Sequence, residues 1–332
     1  MTSDATSLAG SSATGAQAPI QLWFQTLAAL LAAYFIVIVV YGETASSAAY
    51  LWEHHNTYGY AFAVFPIIAF LFWRERAYFA VVSPAPTLIG ALIAIPFASL
   101  WLAGAKLSIL EMQHVALAGM IAALAVTVIG LRNAAHFWLP LAYIFLLAPA
   151  GSPLLPYLQY ITTHIAVAFL LIGQIPFFAE GNSIEVATGN YVVAPGCAGL
   201  NFVLALATVA PLFTVMMYNS WTKRFIALAL MMAIVPIANG FRVFAIIAIA
   251  EYTNRAIDIA ADHLLYGWVF FSAVVLIMFW IGSRFADPPQ APRHGEISSA
   301  TEPPKRFTRN LLSSLLIATG ICAAPGIYLS LQ

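Results

Sequence analysis

The sequence predicts an all-α, polytopic membrane protein, a helical bundle of about eight to ten transmembrane helices with a small outward-facing β-hairpin before the helix that carries a cysteine. Composition is the first reason, because 62% of the 332 residues are hydrophobic and only 8% are charged, whereas soluble domains carry about 25% charged residues. The second reason is the recurrence of apolar runs near the length of a membrane helix. No basic patch with interleaved aromatic residues indicates a nucleic-acid partner.

Composition also divides the chain into four segments. Residues 1–21 are rich in Ser, Ala, Thr and Gly without Lys or Arg, so they lack the basic start of a cleaved signal peptide, and we expect a disordered tail. Residues 22–284 hold most of the apolar runs and form the expected membrane core. Residues 285–310 are rich in Pro, Ser and charged residues, which predicts a flexible cytoplasmic linker before a C-terminal hydrophobic helix at 311–332.

About ten apolar runs approach the roughly 20 residues that a helix needs to cross a bilayer. They lie at Leu22–Tyr41, Tyr58–Trp73, Thr87–Gly104, Gln113–Leu131, Phe137–Ala150, Leu154–Phe177, Ala198–Tyr218, Phe225–Ala250, Leu264–Gly282 and Leu311–Leu331. The segment Ser183–Val193 instead alternates apolar residues around Gly189 and Asn190, which predicts a two-stranded hairpin.

The placement of Lys and Arg predicts the topology, because cytoplasmic loops carry the positive excess. The expected inner residues are Arg74, Arg76, Arg132, Lys223, Arg224, Arg284 and the basic residues of the linker. Arg132 inside and Cys197 outside require an odd number of crossings, yet two apolar runs lie between them. Pro153, Pro156 and a nearby polar cluster favour an interfacial or re-entrant helix for the second run, Leu154–Phe177.

Cys197 lies in the segment Val193–Phe202, at the outer start of a predicted helix. Unpaired N–H groups and the positive end of the helix dipole favour a thiolate there, and the same N–H groups could hold an oxyanion. Gly199 allows a tight turn beside the thiol. A lone membrane cysteine is more often a packing residue, so its role depends on its neighbours.

Arg242 is unusual because it lies within an apolar run. Its insertion into a membrane costs about 2.5 to 3.5 kcal/mol, and such residues mark functional sites by default. It follows the inner Arg224 by about 18 residues, or roughly 27 Å of helix, which places it level with Cys197. Asn239, three residues earlier, shares its helix face. The alternative is an arginine that extends to the outer head groups.

His263 follows Asp262 at the expected outer start of the next helix, at the same depth again. Gly267 leaves room for a close helix contact, and Asp262 could orient the imidazole. A thiol, an imidazole and a guanidinium at one level suit acyl transfer, with Cys197 as nucleophile, His263 as general acid and base, and Arg242 stabilising the thiolate or oxyanion. This chemistry requires no metal or cofactor.

Other interpretations compete with acyl transfer. A transporter or channel would use Arg242 and His263 to bind an anion or relay a proton, although such a site should lie near the midplane. A catalytically idle component of a polysaccharide export machine is a third hypothesis. Trp52–His55 lacks a second ligand pair with metal-site spacing. Cys322, in the last apolar run, is expected to be an inert packing residue.

Four motifs follow one another along the chain: Glu180-Gly-Asn, Cys197-Ala-Gly-Leu, Asn239-Gly-Phe-Arg242, and His263 with Gly267-Trp268. In residue type, order and spacing they resemble the exosortase and archaeosortase family, membrane-embedded cysteine transpeptidases of bacteria and archaea. The resemblance runs from about Trp52 to Arg284. It implies that Cys197 is the nucleophile and that Arg242 and His263 complete the family's catalytic set.

The resemblance also implies the partners. Substrates would be exported proteins with a C-terminal sorting signal of the PEP-CTERM type, made of a short motif, a transmembrane helix and a basic end. They would be cut at the outer face of the cytoplasmic (inner) membrane and joined to a surface acceptor, alongside exopolysaccharide production. The chain departs from the family at Ala198, where Ser is common, and at Tyr58, where many members have His. We expect Ala198 to mark a subfamily with a different signal.

Overall fold

The structure, a computed structural model, describes residues 4–254, 263–288 and 307–331. The described helices and strands belong to two compact units. The first unit contains α1 (Asp4–Val40), α2 (Gly42–His54), α3 (Ala61–Arg74), α4 (Arg76–Val81), α5 (Ile89–Lys106), α6 (Leu110–Ile129), α7 (Leu131–His136), α8 (Trp138–Phe145) and α13 (Phe307–Ser330). The second contains α9 (Leu155–Ile172), β1 (Phe178–Glu180), β2 (Ser183–Val186), β3 (Gly189–Val192), α10 (Leu200–Met217), α11 (Trp221–Tyr252) and α12 (His263–Ser283).

The predicted class is confirmed. Within the described ranges, 8 helices are long and apolar enough to cross a membrane, and the chain is a multi-pass membrane protein. The predicted hairpin is present as β2 and β3, which pair antiparallel. A third strand, β1, pairs antiparallel with β2 and gives the strand order β1-β2-β3. With only three residues, all exposed, β1 is too short to show an alternating pattern in the sequence.

Helix length does not support the prediction that Leu154–Phe177 fails to cross simply. A short 3₁₀ turn and α9 together form a continuous apolar segment of 21 residues, Ser152–Ile172, which is long enough to span. The shorter helix comes from the preceding run, where α8 has only 8 residues. Pro153 lies in the first turn of the 3₁₀ segment, and Pro156 lies in the first turn of α9. At these positions the missing N–H and the fixed φ of proline favour a helix instead of interrupting it.

The ends of the chain differ from the predicted segments. Helix α1 begins at Asp4, so it includes most of residues 1–21, for which we expected disorder. Alanine is the strongest helix former, and the first proline of this segment is Pro19, which accounts for the difference. Most of the expected linker, residues 289–306, lies outside the described residues. The last helix begins at Phe307, shortly before the expected residue 311.

The first unit is held together by close helix contacts. Gly90 of α5 lies directly against Thr127 of α6, where a Cβ would be 2.3 Å from the threonine hydroxyl oxygen. Helix α13 packs against α1, α5 and α6. Cys322 is fully buried in this core, and its backbone carbonyl accepts a hydrogen bond from the Tyr41 hydroxyl. Burial of Cys322 agrees with the packing role expected for it.

In the second unit, α11 packs against α9, α10 and α12. One apolar cluster joins the sheet to α9 and α11 through Ile184, Val193 and Ile247. A second joins α10, α11 and α12 through Phe202, Val235 and Phe271. The chain segment between β3 and α10 lies where these elements meet, and it contains Cys197.

Candidate active site

Cys197 ends a 3₁₀ turn, Pro195–Cys197, three residues before the first residue of α10. Its N–H donates to the Ala194 carbonyl at 2.8 Å, and the Ala198 N–H donates to the Pro195 carbonyl at 3.2 Å. The expectation that free N–H groups at a helix start surround the thiol is therefore wrong for these two groups, because the tight turn uses them internally. Cys197 is half-buried.

The backbone carbonyl of Cys197 is held by two side chains of α11. Asn239 Nδ2 donates to it at 2.9 Å, and Arg242 Nη2 donates at 3.4 Å. The sequence placed Asn239 and Arg242 on one helix face, and both do contact the cysteine turn. Side chains separated by more than 40 positions from Cys197 therefore fix the position of its backbone.

Arg242 is only 4% exposed, so it does not extend to the head groups. Its guanidinium carbon lies 5.5 Å from the centre of the Phe202 ring, in a cation–π arrangement. The guanidinium also interacts electrostatically with the Cys197 thiol and the Tyr266 hydroxyl. Its Nε atom is buried and has no hydrogen-bond partner within the described residues. A buried donor without a partner beside a thiol is available to a substrate oxygen.

Gly199 explains how α10 can begin so close to the cysteine. It has the left-handed conformation, with φ of 83°, which glycine adopts without steric cost. A Cβ at this position would lie 2.8 Å from Asn239 Cγ. Position 199 therefore requires glycine for two reasons, the left-handed backbone conformation of the turn and the close approach of Asn239.

Helix α9 contributes two side chains that sequence reasoning did not assign to the site. Thr162, fully buried, accepts a hydrogen bond from Asn239 Nδ2 at 2.9 Å and donates to the Ala198 carbonyl at 3.4 Å. Gln159 Nε2 donates to the Val193 carbonyl at 2.8 Å. Gln159 and Thr162 are three residues apart in an apolar helix, so both lie on one face. This spacing is the feature of the sequence that could have indicated their contact with the cysteine segment.

A cavity of about 200 Å³ adjoins the thiol. It is lined mainly by apolar side chains, together with Cys197 and Arg242, and its remaining lining residues are Tyr191, Val192, Val193, Val243, Ile246 and Ile247. The thiol and the guanidinium thus face a common space large enough for part of a substrate.

Only part of the predicted histidine region is described. Helix α12 begins at His263, and Gly267 lies four residues later, directly against Arg242: a Cβ there would be 3.1 Å from Nη1. The gap predicted at Gly267 is therefore used for contact with the arginine. Asp262 lies outside the described residues. The structure brings Cys197, Asn239, Arg242, Gly199 and Gly267 together, and it places the start of the His263 helix beside them.

The sequence model of the transmembrane exosortase family (Exosortase_EpsH) matches residues 52–280. The chain belongs to this family. The match includes the cysteine turn and helices α9 to α11, which supply the contacts described above. Transmembrane exosortases are membrane sorting transpeptidases that use a cysteine. Comparisons with curated proteins and with solved structures gave no match.

Proposed function

We propose that this exosortase cuts the C-terminal sorting signals of exported proteins through a thioester on Cys197 and passes the acyl group to a surface acceptor. The observation that supports this most directly is the buried Arg242, which contacts the cysteine turn and lines the same cavity as Cys197. No ion pair joins the Arg242 guanidinium to a carboxylate in the part of the chain that the structure describes, and a buried guanidinium in that state is unfavourable unless it serves a reaction or a ligand. Membership of the exosortase family favours the enzyme over a transporter.

In the proposed first step, the Cys197 thiolate attacks the carbonyl carbon of the scissile peptide, and a C–S bond forms. Charge develops on the carbonyl oxygen, and Arg242, whose Nε has no partner within the described residues, donates to it. The C–N bond then breaks as His263 protonates the leaving amine. A thioester remains, and the C-terminal helix departs.

In the second step, His263 removes a proton from an acceptor hydroxyl, an acceptor amine or water, and this nucleophile attacks the thioester. The thiolate is released, so Cys197 is regenerated. The proposed partners are sorting-signal helices, the lipid bilayer and a cell-surface acceptor linked to exopolysaccharide production. The proposed location is the inner membrane, with Cys197 facing the periplasm.

Substitution of the nucleophile tests this proposal. Cys197→Ala is expected to abolish processing, so that substrates accumulate with their C-terminal helices intact on immunoblots, whereas Cys322→Ala, in the other unit, should retain it. Normal processing by Cys197→Ala would show that the proposed function is wrong.

Arg242→Lys should also impair turnover, because a point charge cannot reproduce a planar guanidinium. Unchanged turnover of Arg242→Lys would limit this residue to a structural role.

A further inference from the structure

Strand β3 is the edge of the sheet nearest to the cysteine in sequence. Within the described residues it pairs only with β2. The Val193 N–H donates to the Asn182 carbonyl at 2.8 Å, and the register pairs Ile184 with Tyr191. Because bonded and non-bonded pairs alternate in an antiparallel ladder, the backbone groups of Asn190 and Val192 are directed away from β2.

The edge that these groups form leads into the candidate active site. The Val192 carbonyl accepts the Ala194 N–H at 2.9 Å, so the outward-directed groups that remain, as far as the described residues go, are the N–H of Val192 and the N–H and carbonyl of Asn190. Val192 is 62% exposed. Tyr191, Val192 and Val193 also line the cavity that contains Cys197 and Arg242. A peptide along this edge would therefore pass beside the thiol.

A peptide bond that is attacked by a thiolate cannot be part of a helix, because helical carbonyls are already paired and shielded. The scissile segment of a membrane-anchored substrate is therefore extended, and its N–H and carbonyl groups lack internal partners. Close to a bilayer, unpaired backbone groups are costly, so the enzyme gains affinity by pairing them. An unoccupied strand edge supplies this kind of pairing.

We propose that the extended segment preceding the helix of the sorting signal binds to β3 as a fourth strand and inserts one apolar side chain into the cavity. The cavity, at about 200 Å³, is smaller than the roughly 300–1,000 Å³ of pockets for small molecules, which suits a single side chain. This inference rests on the proposed function, since it concerns the substrate of the same site. Backbone pairing provides affinity, and the cavity provides the choice of side chain.

Backbone pairing is tested by binding to the Cys197→Ala protein, so that turnover does not enter. The probe is a synthetic C-terminal tail with a short motif, an apolar helix and a basic end, and its affinity is measured in detergent. Single N-methylation of successive amides in the motif should weaken binding roughly three- to tenfold at one position, the amide that donates to the Asn190 carbonyl, and leave its two neighbours unchanged, because adjacent amides of a strand point to opposite sides. Equal weakening at neighbouring amides, or weakening at none, would overturn the inference.

Two pairs of variants test the enzyme side of the same contact. Val192→Pro removes an outward N–H without removing a bond to β2, whereas Val192→Ala shortens the same side chain and retains the N–H. Val192→Pro should therefore raise KM roughly three- to tenfold above the KM of Val192→Ala. Ile246→Phe, which fills the cavity, should reject tails with a large apolar residue while it accepts those with Ala, and Ile246→Val should accept both. Unaltered KM in Val192→Pro would contradict strand pairing.

The outcomes separate the two proposals. Loss of processing in Cys197→Ala together with a single sensitive amide in the N-methylated tails supports both. Loss of processing without such an amide leaves the cysteine transpeptidase in place and removes the fourth strand. Processing by Cys197→Ala removes the proposed function whatever the β3 variants show.

Discussion

The carbonyl oxygen of Cys197 accepts hydrogen bonds from Asn239 and Arg242, so the backbone of the proposed nucleophile is fixed from outside its own turn. Arg242 therefore has two expected roles. Nη2 positions the cysteine, whereas Nε, which has no hydrogen-bond partner among residues 4–254, 263–288 and 307–331, is the proposed donor to the substrate oxygen. A lysine could not perform both roles, because it lacks the planar arrangement of donors.

Two glycines beside the thiol provide a matched pair of substitutions. Gly199→Ala should destabilise the protein by at least about 1–2 kcal/mol, because an alanine is strained in the left-handed region and its Cβ would collide with Asn239. Gly196→Ala should be tolerated, since nothing lies within 4 Å of a Cβ there. Thermal unfolding in detergent measures both. Equal melting temperatures would show that the strain at Gly199 is relieved by a shift of the turn.

At this scale the sequence predicted the unusual residues but not their contacts. Arg242 and Asn239 are conspicuous in an apolar run because their burial is costly without a function. Thr162 is not conspicuous, since threonine is tolerated in apolar helices by bonding within its own helix. Its partners, Ala198 and Asn239, are 36 and 77 positions away, and only the fold brings them near.

Among the elements, α9 acts as a support for the cysteine segment. Gln159 holds the Val193 carbonyl before the turn, and Thr162 holds the Ala198 carbonyl after the thiol. The polar residues that suggested an interfacial helix are thus partly explained by contacts inside the second unit. Amphipathic patterning could not distinguish a helix face toward head groups from one toward a buried turn.

Thr162→Val tests this support by removing the hydroxyl with little change of shape. A buried Asn239 donor would lose its partner, at about 1–3 kcal/mol, and the cysteine turn would shift. We expect kcat to fall by roughly 10- to 100-fold with KM nearly unchanged, since misplacement of the nucleophile affects the chemical step. Thr162→Ser retains the hydroxyl and should restore kcat. A variant with raised KM and normal kcat would contradict a positioning role.

For the whole molecule, composition was sufficient to predict the class, because 62% hydrophobic and 8% charged residues allow few alternatives to a membrane protein. The number of membrane crossings between Arg132 and Cys197 was harder to predict. It depended on which of the two adjacent apolar runs, Phe137–Ala150 or Leu154–Phe177, forms the shorter helix. Apolar composition alone does not reveal where a helix ends within such a run. The break after α8 follows from a turn at residues 146–150, which resembles the surrounding sequence in hydrophobicity.

The proposed orientation predicts which surfaces face outward. The test uses a background of Cys197→Ala and Cys322→Ala, into which single cysteines are introduced at Glu185 or Ser220. Glu185 lies in β2, which precedes α10 in the chain, and Ser220 lies between the end of α10 and the start of α11. A membrane-impermeant maleimide should label Glu185→Cys in intact spheroplasts and Ser220→Cys only after permeabilisation. The reverse pattern would place the thiol of the native protein on the cytoplasmic side.

The end of α12 is tied to the turn between α10 and α11 by Asp287. Its carboxylate accepts hydrogen bonds from the Lys223 ammonium and from the Asn219 N–H, the latter at 2.8 Å. The bond from Lys223, and then that from Asn219, lowers the pKa of Asp287 below its ordinary value of 3.8. A lowered pKa means that this stabilisation is fully present above the ordinary pKa and is lost as the pH falls through the pKa of the folded state.

Asp287→Asn should therefore lower the melting temperature at neutral pH, and the difference from the parent protein should shrink as the pH falls through the acidic range. Thermal unfolding in detergent over a pH series measures this difference directly. Comparing two proteins at each pH removes the contribution of other carboxylates, which titrate in both. Glu180→Gln, in the exposed strand β1, changes the charge equally without touching the turn and should show a smaller, pH-insensitive difference. A difference for Asp287→Asn that stays constant down to the acid limit would mean that the ionised carboxylate does not stabilise this turn.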